Sequence, residues 1–448
     1  MKNMMFKKLE VWLVLLILII FITITFCGMY SLGVLTVYNI KGGRKFKTVS
    51  NFGKQIFEYP VIIYEQIIHN PMQVKQPIGY GTGFEKFKDI DQVNYLLLSR
   101  YSDQDKQSII ELVNIKTFEI LYQWVPDTDE FLKHISKRKN GEKIFPSDPS
   151  AKSKNKKENV HPLMNSDGSL IFVTPVLTKV DKDGQLIWQN ETLYTHHTIE
   201  EDHEKNLWVC ASKFNPEKSN HYLDGIAKFS PNGELMFYKS INEIFENNNM
   251  KGIISGIGQA SIDHFGNIDT THINDIVPVL NNGPYWKKGD LFLSLRNLSM
   301  VLLYRPSTDK IIWKKIGIAI SQHDIDILDD HTISIFSNNT PNVKPKHGYN
   351  GVYNDVLVYN FKTDSVSSPY KKAFENNKIF TSFRGESHIF DDRNILIEES
   401  ANGRFFMIDR NGEVIWQYVN QGNDGNRYKV SIFRIIKDES KLDFLKTI

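Results

Sequence analysis

The chain has 448 residues, 41% hydrophobic and 12% aromatic, enough to bury a large core as one repeat array or as two domains. Lys and Arg number 54 against 52 Asp and Glu, a formal net charge of +2, so no strongly basic character argues for a nucleic-acid partner. The two cysteines, Cys27 in an apolar run and Cys210 in an expected buried strand (Trp208-Val209-Cys210), exclude a disulfide framework and cast Cys210 as core filler.

Residues 1–10 form a short tail. From Val11 to about Leu35 there is no charged residue, and Val11 to Phe21 is unbroken hydrocarbon. Roughly 20 such residues in a helix cross the roughly 30 Å apolar core of a bilayer. The pattern therefore predicts one transmembrane anchor over 11–35. A removable signal peptide is the alternative, but its apolar centre would span only about 7 to 15 residues. Lys2, Lys7 and Lys8 precede the run, while Lys41, Arg44, Lys45 and Lys47 follow it, so charge alone leaves the orientation open. Residues 36–80 read as a membrane-proximal linker with a helix broken near Pro60, packing against the following domain.

Beyond residue 80 the character changes. Polar turns followed by strands recur as Val180-Asp181-Lys182-Asp183-Gly184-Gln185-Leu186-Ile187-Trp188, Phe229-Ser230-Pro231-Asn232-Gly233-Glu234-Leu235 and Ile408-Asp409-Arg410-Asn411-Gly412-Glu413-Val414-Ile415-Trp416. Weaker copies begin at Ile115, Tyr304 and Tyr359. Asp-Gly and Asn-Gly accept the positive φ of tight hairpins. An upstream apolar strand recurs equally often: Tyr95 to Leu98, Leu170 to Val173, Leu207 to Cys210, Leu291 to Ser294, Ile333 to Phe336 and Ile395 to Ile397. Six copies of each, with about four strands per repeat, predict an all-β, six-bladed β-propeller over 81–435, followed by a tail at 436–448. An irregular β-sandwich is the alternative, but it leaves the regular repetition unexplained. Two insertions interrupt the rhythm: a polar, charged loop at 137–158, and a stretch at 241–266 expected to form a loop over one end of the channel.

Histidines recur ahead of the upstream strands of blades two to six: His161, His196-His197, His272, His323 and His388. In a propeller those positions converge on the channel mouth, and histidine readily carries a proton or a group near neutral pH. His272-Ile273-Asn274 places two polar donors on one strand face, and Leu291 to Leu295 ends in Arg296, a fork suited to carboxylate, phosphate or sulfate oxygens. Asp324, adjacent to His323, points to the opposite strand face and is expected to support the backbone. Tyr194, Tyr285 and Trp286 could face an aryl ring, with packing the plainer role.

His272-Ile273-Asn274-Asp275-Ile276, Ser294-Leu295-Arg296, Gln322-His323-Asp324-Ile325, and Arg404-Phe405 with Asp409 to Trp416 together resemble the bacterial arylsulfate sulfotransferase family over about residues 160 to 420. The resemblance implies a six-bladed propeller that moves a sulfuryl group from an aryl sulfate to a phenolic acceptor without a nucleotide sulfate donor, cofactor or metal. It implies His323 as the transiently sulfated nucleophile. His272, Asn274 and Arg296 would hold sulfuryl oxygens, His197 would be a further catalytic group, and His196 a substrate-binding one. Members of that family are exported, so with the expected anchor at 11–35 the resemblance implies a single-pass membrane protein with its catalytic domain on the extracytoplasmic, periplasmic side. A non-catalytic ligand- or protein-binding propeller and a histidine-ligated metal enzyme remain the competing readings.

Overall fold

The computed structural model describes residues 72–74, 81–90, 95–132, 158–214, 222–256, 270–340 and 351–447. The expected anchor at 11–35, most of the linker at 36–80 and nearly all of the insertion at 137–158 lie outside these residues. Among the described residues no helix is long and apolar enough to cross a membrane.

Among the described residues, twenty-five strands form six antiparallel sheets arranged as propeller blades. An edge strand, β1 (Gly83–Lys86), precedes the first blade's β2 (Tyr95–Ser102), β3 (Gln107–Asn114) and β4 (Glu119–Trp124). Blade two is β5 (Val160–Met164), β6 (Leu170–Val173), β7 (Leu177–Val180) and β8 (Leu186–Asn190). Blade three is β9 (Tyr194–Glu201), β10 (Leu207–Phe214), β11 (Tyr222–Phe229) and β12 (Leu235–Ser240). Blade four is β13 (Ile273–Pro278), β14 (Leu291–Leu295), β15 (Met300–Arg305) and β16 (Lys310–Ile316). Blade five is β17 (Ile325–Ile327), β18 (Thr332–Ser337), β19 (Asp355–Asn360) and β20 (Ser365–Ser367). Blade six is β21 (Ser387–Ile389), β22 (Ile395–Glu399), β23 (Arg404–Ile408) and β24 (Val414–Val419), and β25 (Val430–Ile436) ends the series.

Burial follows position within a blade. Every residue of β14, β18 and β22, the second strands, is buried, because both faces of a second strand meet neighbouring blades. The outermost strand β16 instead alternates exposed and half-buried residues, the period of two expected of a strand with one solvated face. The core is consequently a ring of layers between blades: Trp208 and Ile226 of blade three pack with Leu293 and Leu302 of blade four, and Phe292 and Leu303 pack with Ile333 and Ile335 of blade five. Burying each such side chain is worth about 1.5 to 3 kcal/mol.

The glycine turns close as bulged hairpins. Gly184, Gly233 and Gly412 have φ of +79°, +81° and +91°, and the register shifts by one residue beside each, at Lys179/Val180, Lys228/Phe229 and Met407/Ile408. At Gly233 a Cβ would also lie 2.6 Å from the Trp188 ring, so glycine there serves both the turn and the packing between blades.

The ring is closed twice by segments distant in sequence. β25 pairs with β2 (Tyr95 opposite Ile436) to supply the innermost strand of the first blade, and β1 adds to the outer edge of the last (Gly83 opposite Val419). Residues Glu439–Thr447 form a 3₁₀ segment whose buried Phe444 packs edge-on to Tyr122 and against Trp124. The stretch expected as a loop at 241–266 begins as helix, at Ile241–Asn247 and Lys251–Gly256. Ser240 and Glu243 form a reciprocal capping box at its start, and Ile241, Ile244 and Phe245 bury against blades three and four.

Candidate active site

The innermost strands β5, β9, β13, β17 and β21 each carry, within or just ahead of them, a residue in the left-handed region: His161 (φ +50°), His197 (+59°), His272 (+46°), Ser321 (+50°) and Arg384 (+55°). Pairing to the second strand slips beside the three histidines, between Val160 and Leu163, between Ile199 and His196, and between Ile273 and Asp275. Such bulges turn side chains out of the sheet, at roughly 1 to 3 kcal/mol for a non-glycine residue. The histidine register is therefore less uniform than the sequence pattern indicates. His161, His197 and His272 occupy the kink itself, whereas His323 lies two residues beyond Ser321 and His388 four beyond Arg384.

The kinks gather three imidazoles. His197 meets His272 edge-on at 5.2 Å between ring centroids and His323 at 5.9 Å. His323 is buried, and both of its nitrogens are engaged. Nδ1 lies 2.6 Å from Asn338 Oδ1, while the Arg384 backbone N–H donates to Nε2 at 3.1 Å. Asn338 cannot be turned round, because its Nδ2 donates to the carbonyls of Thr381 (3.1 Å) and Arg384 (2.6 Å). Its oxygen must therefore accept, which puts the proton of neutral His323 on Nδ1 and the lone pair on Nε2. Burial, then the Arg296 charge and His272, push the basicity of His323 well below the ordinary histidine range. His197 is pushed down likewise by burial, by His196, His272 and His323, and by Arg296. Both are neutral imidazoles at neutral pH.

Arg296 is the first residue after β14, and Nη1 donates to Asn297 Oδ1 at 3.0 Å. Asn274 Nδ2 donates to the Gln322 carbonyl at 2.8 Å, bracing the segment that carries His323, and its Oδ1 has no hydrogen-bond partner among the described residues. His196 turns away from this cluster. Its Nε2 meets Asp224 Oδ1 (3.1 Å) and Ser212 Oγ (3.2 Å), and its Nδ1 meets His197 Nδ1 at 2.8 Å. Thus His196, His197, His272, His323, Arg296 and Asn274 occupy one stretch of the inner wall, on blades three to five.

His161 and His388 line a different part of the channel, a cavity of about 210 Å³ shared with Glu200, Asp275, Asp324 and Glu386. His161 Nδ1 accepts from the Ile199 N–H at 3.2 Å and its Nε2 lies 2.9 Å from Arg434, whose side chain also donates to the Pro162 and Ile199 carbonyls. The carboxyls here act as braces between blades. Asp275 accepts from the Ile325 N–H (2.7 Å), and Asp324 from the Ser387 N–H (2.8 Å), the backbone role expected of Asp324. Burial pushes Asp275, Asp324 and Glu386 well above the usual carboxylate range.

Among the described residues, the group of His, Cys, Asp and Glu close enough to share a metal ion is Asp329, Asp330 and His331, in a solvent-facing turn away from the imidazole cluster. Tyr285 and Trp286 pack against Phe361, while the half-buried Tyr194 ring lies 5.7 Å from His196. Cys210 is buried beside Thr198, and burial pushes its thiol up.

Three residues that organise the site escaped sequence reasoning: Asn338, Arg384 and Asp224. Asn338 follows the second strand of blade five just as Arg296 follows that of blade four, so the cue that singled out Arg296 also reaches Asn338. Asp224 and Arg384 act across blades, and no local pattern marks them.

Comparison with known proteins adds the family. Among solved structures the chain is similar to a protein of unknown function from Bacteroides caccae (12% identity, 78% of this chain and 100% of that one, TM-score 0.47). It is also similar to a streptogramin B lyase (10% identity, 79% and 97%, TM-score 0.37) and to virginiamycin B lyase from Staphylococcus aureus (9% identity, 63% and 85%, TM-score 0.34). No curated protein sequence matches. The arylsulfotransferase (ASST) family model matches residues 158–421, spanning the inner strands of blades two to six and every imidazole described above, and the chain belongs to that family.

Proposed function

We propose that the protein transfers a sulfuryl group from an aryl sulfate to a phenolic acceptor through a transient sulfohistidine on His323. The observation that carries this reading is the Asn338 acceptor on His323 Nδ1, which leaves the lone pair on Nε2 of a neutral ring beside the Arg296 charge. A neutral imidazole is the form that attacks sulfur. The transition state for sulfuryl transfer, like that for phosphoryl transfer, is loose and places charge on the equatorial oxygens, so a positioned cation and donors supply most of the catalysis.

In the first half-reaction the Nε2–S bond forms as the S–O bond to the aryl oxygen breaks, and the departing phenolate takes a proton relayed by a neighbouring imidazole, His197 or His272, which gains a proton on one nitrogen as it gives one up on the other. In the second, an acceptor phenol returns its proton to that imidazole as its oxygen takes the sulfuryl group. The Arg384 N–H now on Nε2 yields that lone pair to sulfur and is then placed to face a sulfuryl oxygen. Arg296, His272 and Asn274 are the groups proposed to hold those oxygens, and His196 to assist from behind His197. The apolar run at 11–35 is proposed to anchor the protein as a single-pass membrane protein with the propeller on the extracytoplasmic side.

Purified protein given a chromogenic aryl sulfate and a phenol tests this reading. Release of the chromogenic phenol that requires acceptor and is abolished by His323→Ala supports it. No release, or release indifferent to that substitution, removes it.

A further inference from the structure

Behind the cluster runs a line of contacts, Asp224 to His196 to His197, that begins at a carboxylate which the sulfuryl-transfer reading does not use. Asp224 is buried on β11, directly across the ladder from Ser212 of β10. Its Oδ1 accepts from Ser212 Oγ at 3.0 Å and faces His196 Nε2 at 3.1 Å. Its Oδ2 accepts from the Ile273 N–H at 2.6 Å and from Thr271 Oγ1 at 3.3 Å, next to His272. A carboxylate accepts at every lone pair, so the facing nitrogen of His196 must donate. Neutral His196 is then protonated at Nε2 and bare at Nδ1. Because His196 Nδ1 lies 2.8 Å from His197 Nδ1, the one proton in that contact belongs to His197. His197 is thereby left with a bare Nε2, the nitrogen not taken up by His196.

We propose that Asp224 is a positioning residue which, through His196, sets the protonated nitrogen of His197 and gives the proton-transfer group of the site a place to hold its charge. The inference rests on the sulfuryl-transfer reading and extends it by choosing His197 as the acid and base. When acceptor phenol gives its proton to His197 Nε2, the Nδ1 proton passes to His196 Nδ1. His196 becomes an imidazolium against Asp224, and His197 is again neutral, now carrying its proton on Nε2. The donor half-reaction starts from that His196 imidazolium, and the same two protons move back: His197 Nε2–H protonates the departing phenolate and Nδ1 regains its proton from His196. Protons balance over the two halves.

The arrangement answers a physical difficulty. An imidazolium at His197 would sit among His272, His323 and Arg296, with no carboxylate among them. One ring further back, the charge lies against Asp224, with Ser212, the Tyr194 ring and His197 beside His196, and Tyr238 and Cys210 near Asp224.

Asp224→Asn tests this with little change of shape. The two donors on Oδ2 hold the amide oxygen on the side of Ile273, so the amide nitrogen faces His196 and donates to Nε2. That reverses both tautomers and leaves His197 protonated on Nε2 before any acceptor arrives. At a pH where His196 is neutral, NMR of nitrogen-labelled histidine should show His197 protonated at Nδ1 in the parent and at Nε2 in the variant. With aryl sulfates of poor leaving groups, kcat should fall by about 100-fold or more, as for loss of a positioned acid or base, with much smaller losses for nitro-substituted donors and KM little changed. His196→Gln is the second variant. Its amide still donates to Asp224 and accepts from His197 Nδ1, so the His197 tautomer should survive while turnover of poor leaving groups falls. An unchanged His197 tautomer in Asp224→Asn, or a loss equal for all donors, overturns the inference. If the parent turns over no aryl sulfate, the sulfuryl-transfer reading fails by itself, and the ring-nitrogen assignments still decide whether Asp224 sets the tautomer.

Discussion

Asn338→Asp replaces one NH₂ group by oxygen at a fully buried position and should separate the stability of the propeller from the nucleophilicity of His323. In the parent, Asn338 Nδ2 donates to two carbonyls and Oδ1 accepts from His323. Thr381 keeps a second donor, Asn354 Nδ2 at 3.0 Å, whereas the side-chain donor to the Arg384 carbonyl is lost. Leaving one buried acceptor unpaired costs about 1 to 3 kcal/mol, and the new oxygen facing the Thr381 and Arg384 carbonyl oxygens adds to it, which should appear as a lower urea midpoint. The chemical effect should be larger. A carboxylate 2.6 Å from Nδ1 favours the imidazolium, which fills Nε2 with a proton and removes the lone pair that attacks sulfur. Turnover of aryl sulfate should therefore fall by about 10²- to 10⁴-fold, the range for losing a correctly protonated catalytic group. Asn354→Ala is the control. It removes donors to the Asn338 and Thr381 carbonyls, and an acceptor for the Thr381 N–H, but leaves the acceptor on His323 in place. It should also lower the urea midpoint and lose far less activity. Equal activity losses in the two variants, or Asn338→Asp turning over within about threefold of the parent, would refute the reasoning.

Arg296→Gln removes the charge that helps hold His197 and His323 neutral, so the acid limb of kcat/KM, which should lie below the ordinary histidine range in the parent, should move up in pH. A pH profile checks the direction, and loss of a charge-stabilising donor should lower kcat by about 10²- to 10³-fold. Asp324→Asn should stabilise at neutral pH. Burial with Asp326 and Asp275 nearby raises this carboxyl above 3.8, so the folded state retains a proton that the unfolded state has released. Stability is therefore lost as pH rises from near 3.8 through the folded value, whereas the amide keeps the acceptor for the Ser387 N–H without titrating. Denaturant midpoints of parent and variant should diverge as pH rises from about 4 to 8. His388→Ala should leave turnover within about threefold of the parent in the same kinetic assay, because His388 lines the carboxyl-rich cavity near Asp326 (3.6 Å) rather than the imidazole cluster.

The sequence carried the propeller because its cues are local and repeated. Asp-Gly and Asn-Gly turns ending at Gly184, Gly233 and Gly412 need positive φ, and nearly continuous apolar runs such as Leu291 to Leu295, broken by Ser294 alone, need cover on both faces. Ring closure by β25 against β2 is a pairing between the two ends of the repeat array, which no local pattern specifies. The site was legible as a set of residue types expected to converge, and His197, His272 and His323 do meet one another. Their differing registers were not legible, because a bulge moves a side chain by a residue or two without leaving a mark in composition. Asn338, Arg384 and Asp224 escaped for a related reason. Each acts on a partner 15 or more residues away, and their importance follows only from which nitrogen faces which oxygen.

The central claim, that His323 carries the sulfuryl group between donor and acceptor, is tested most directly by intact-mass measurement after exposure to an aryl sulfate without acceptor, followed by peptide mapping. The predicted result is one added SO₃ on the peptide containing His323, lost when a phenol is supplied and absent in His323→Ala. An unmodified protein that nonetheless transfers sulfate to the phenol, or an adduct on any other residue, would contradict it.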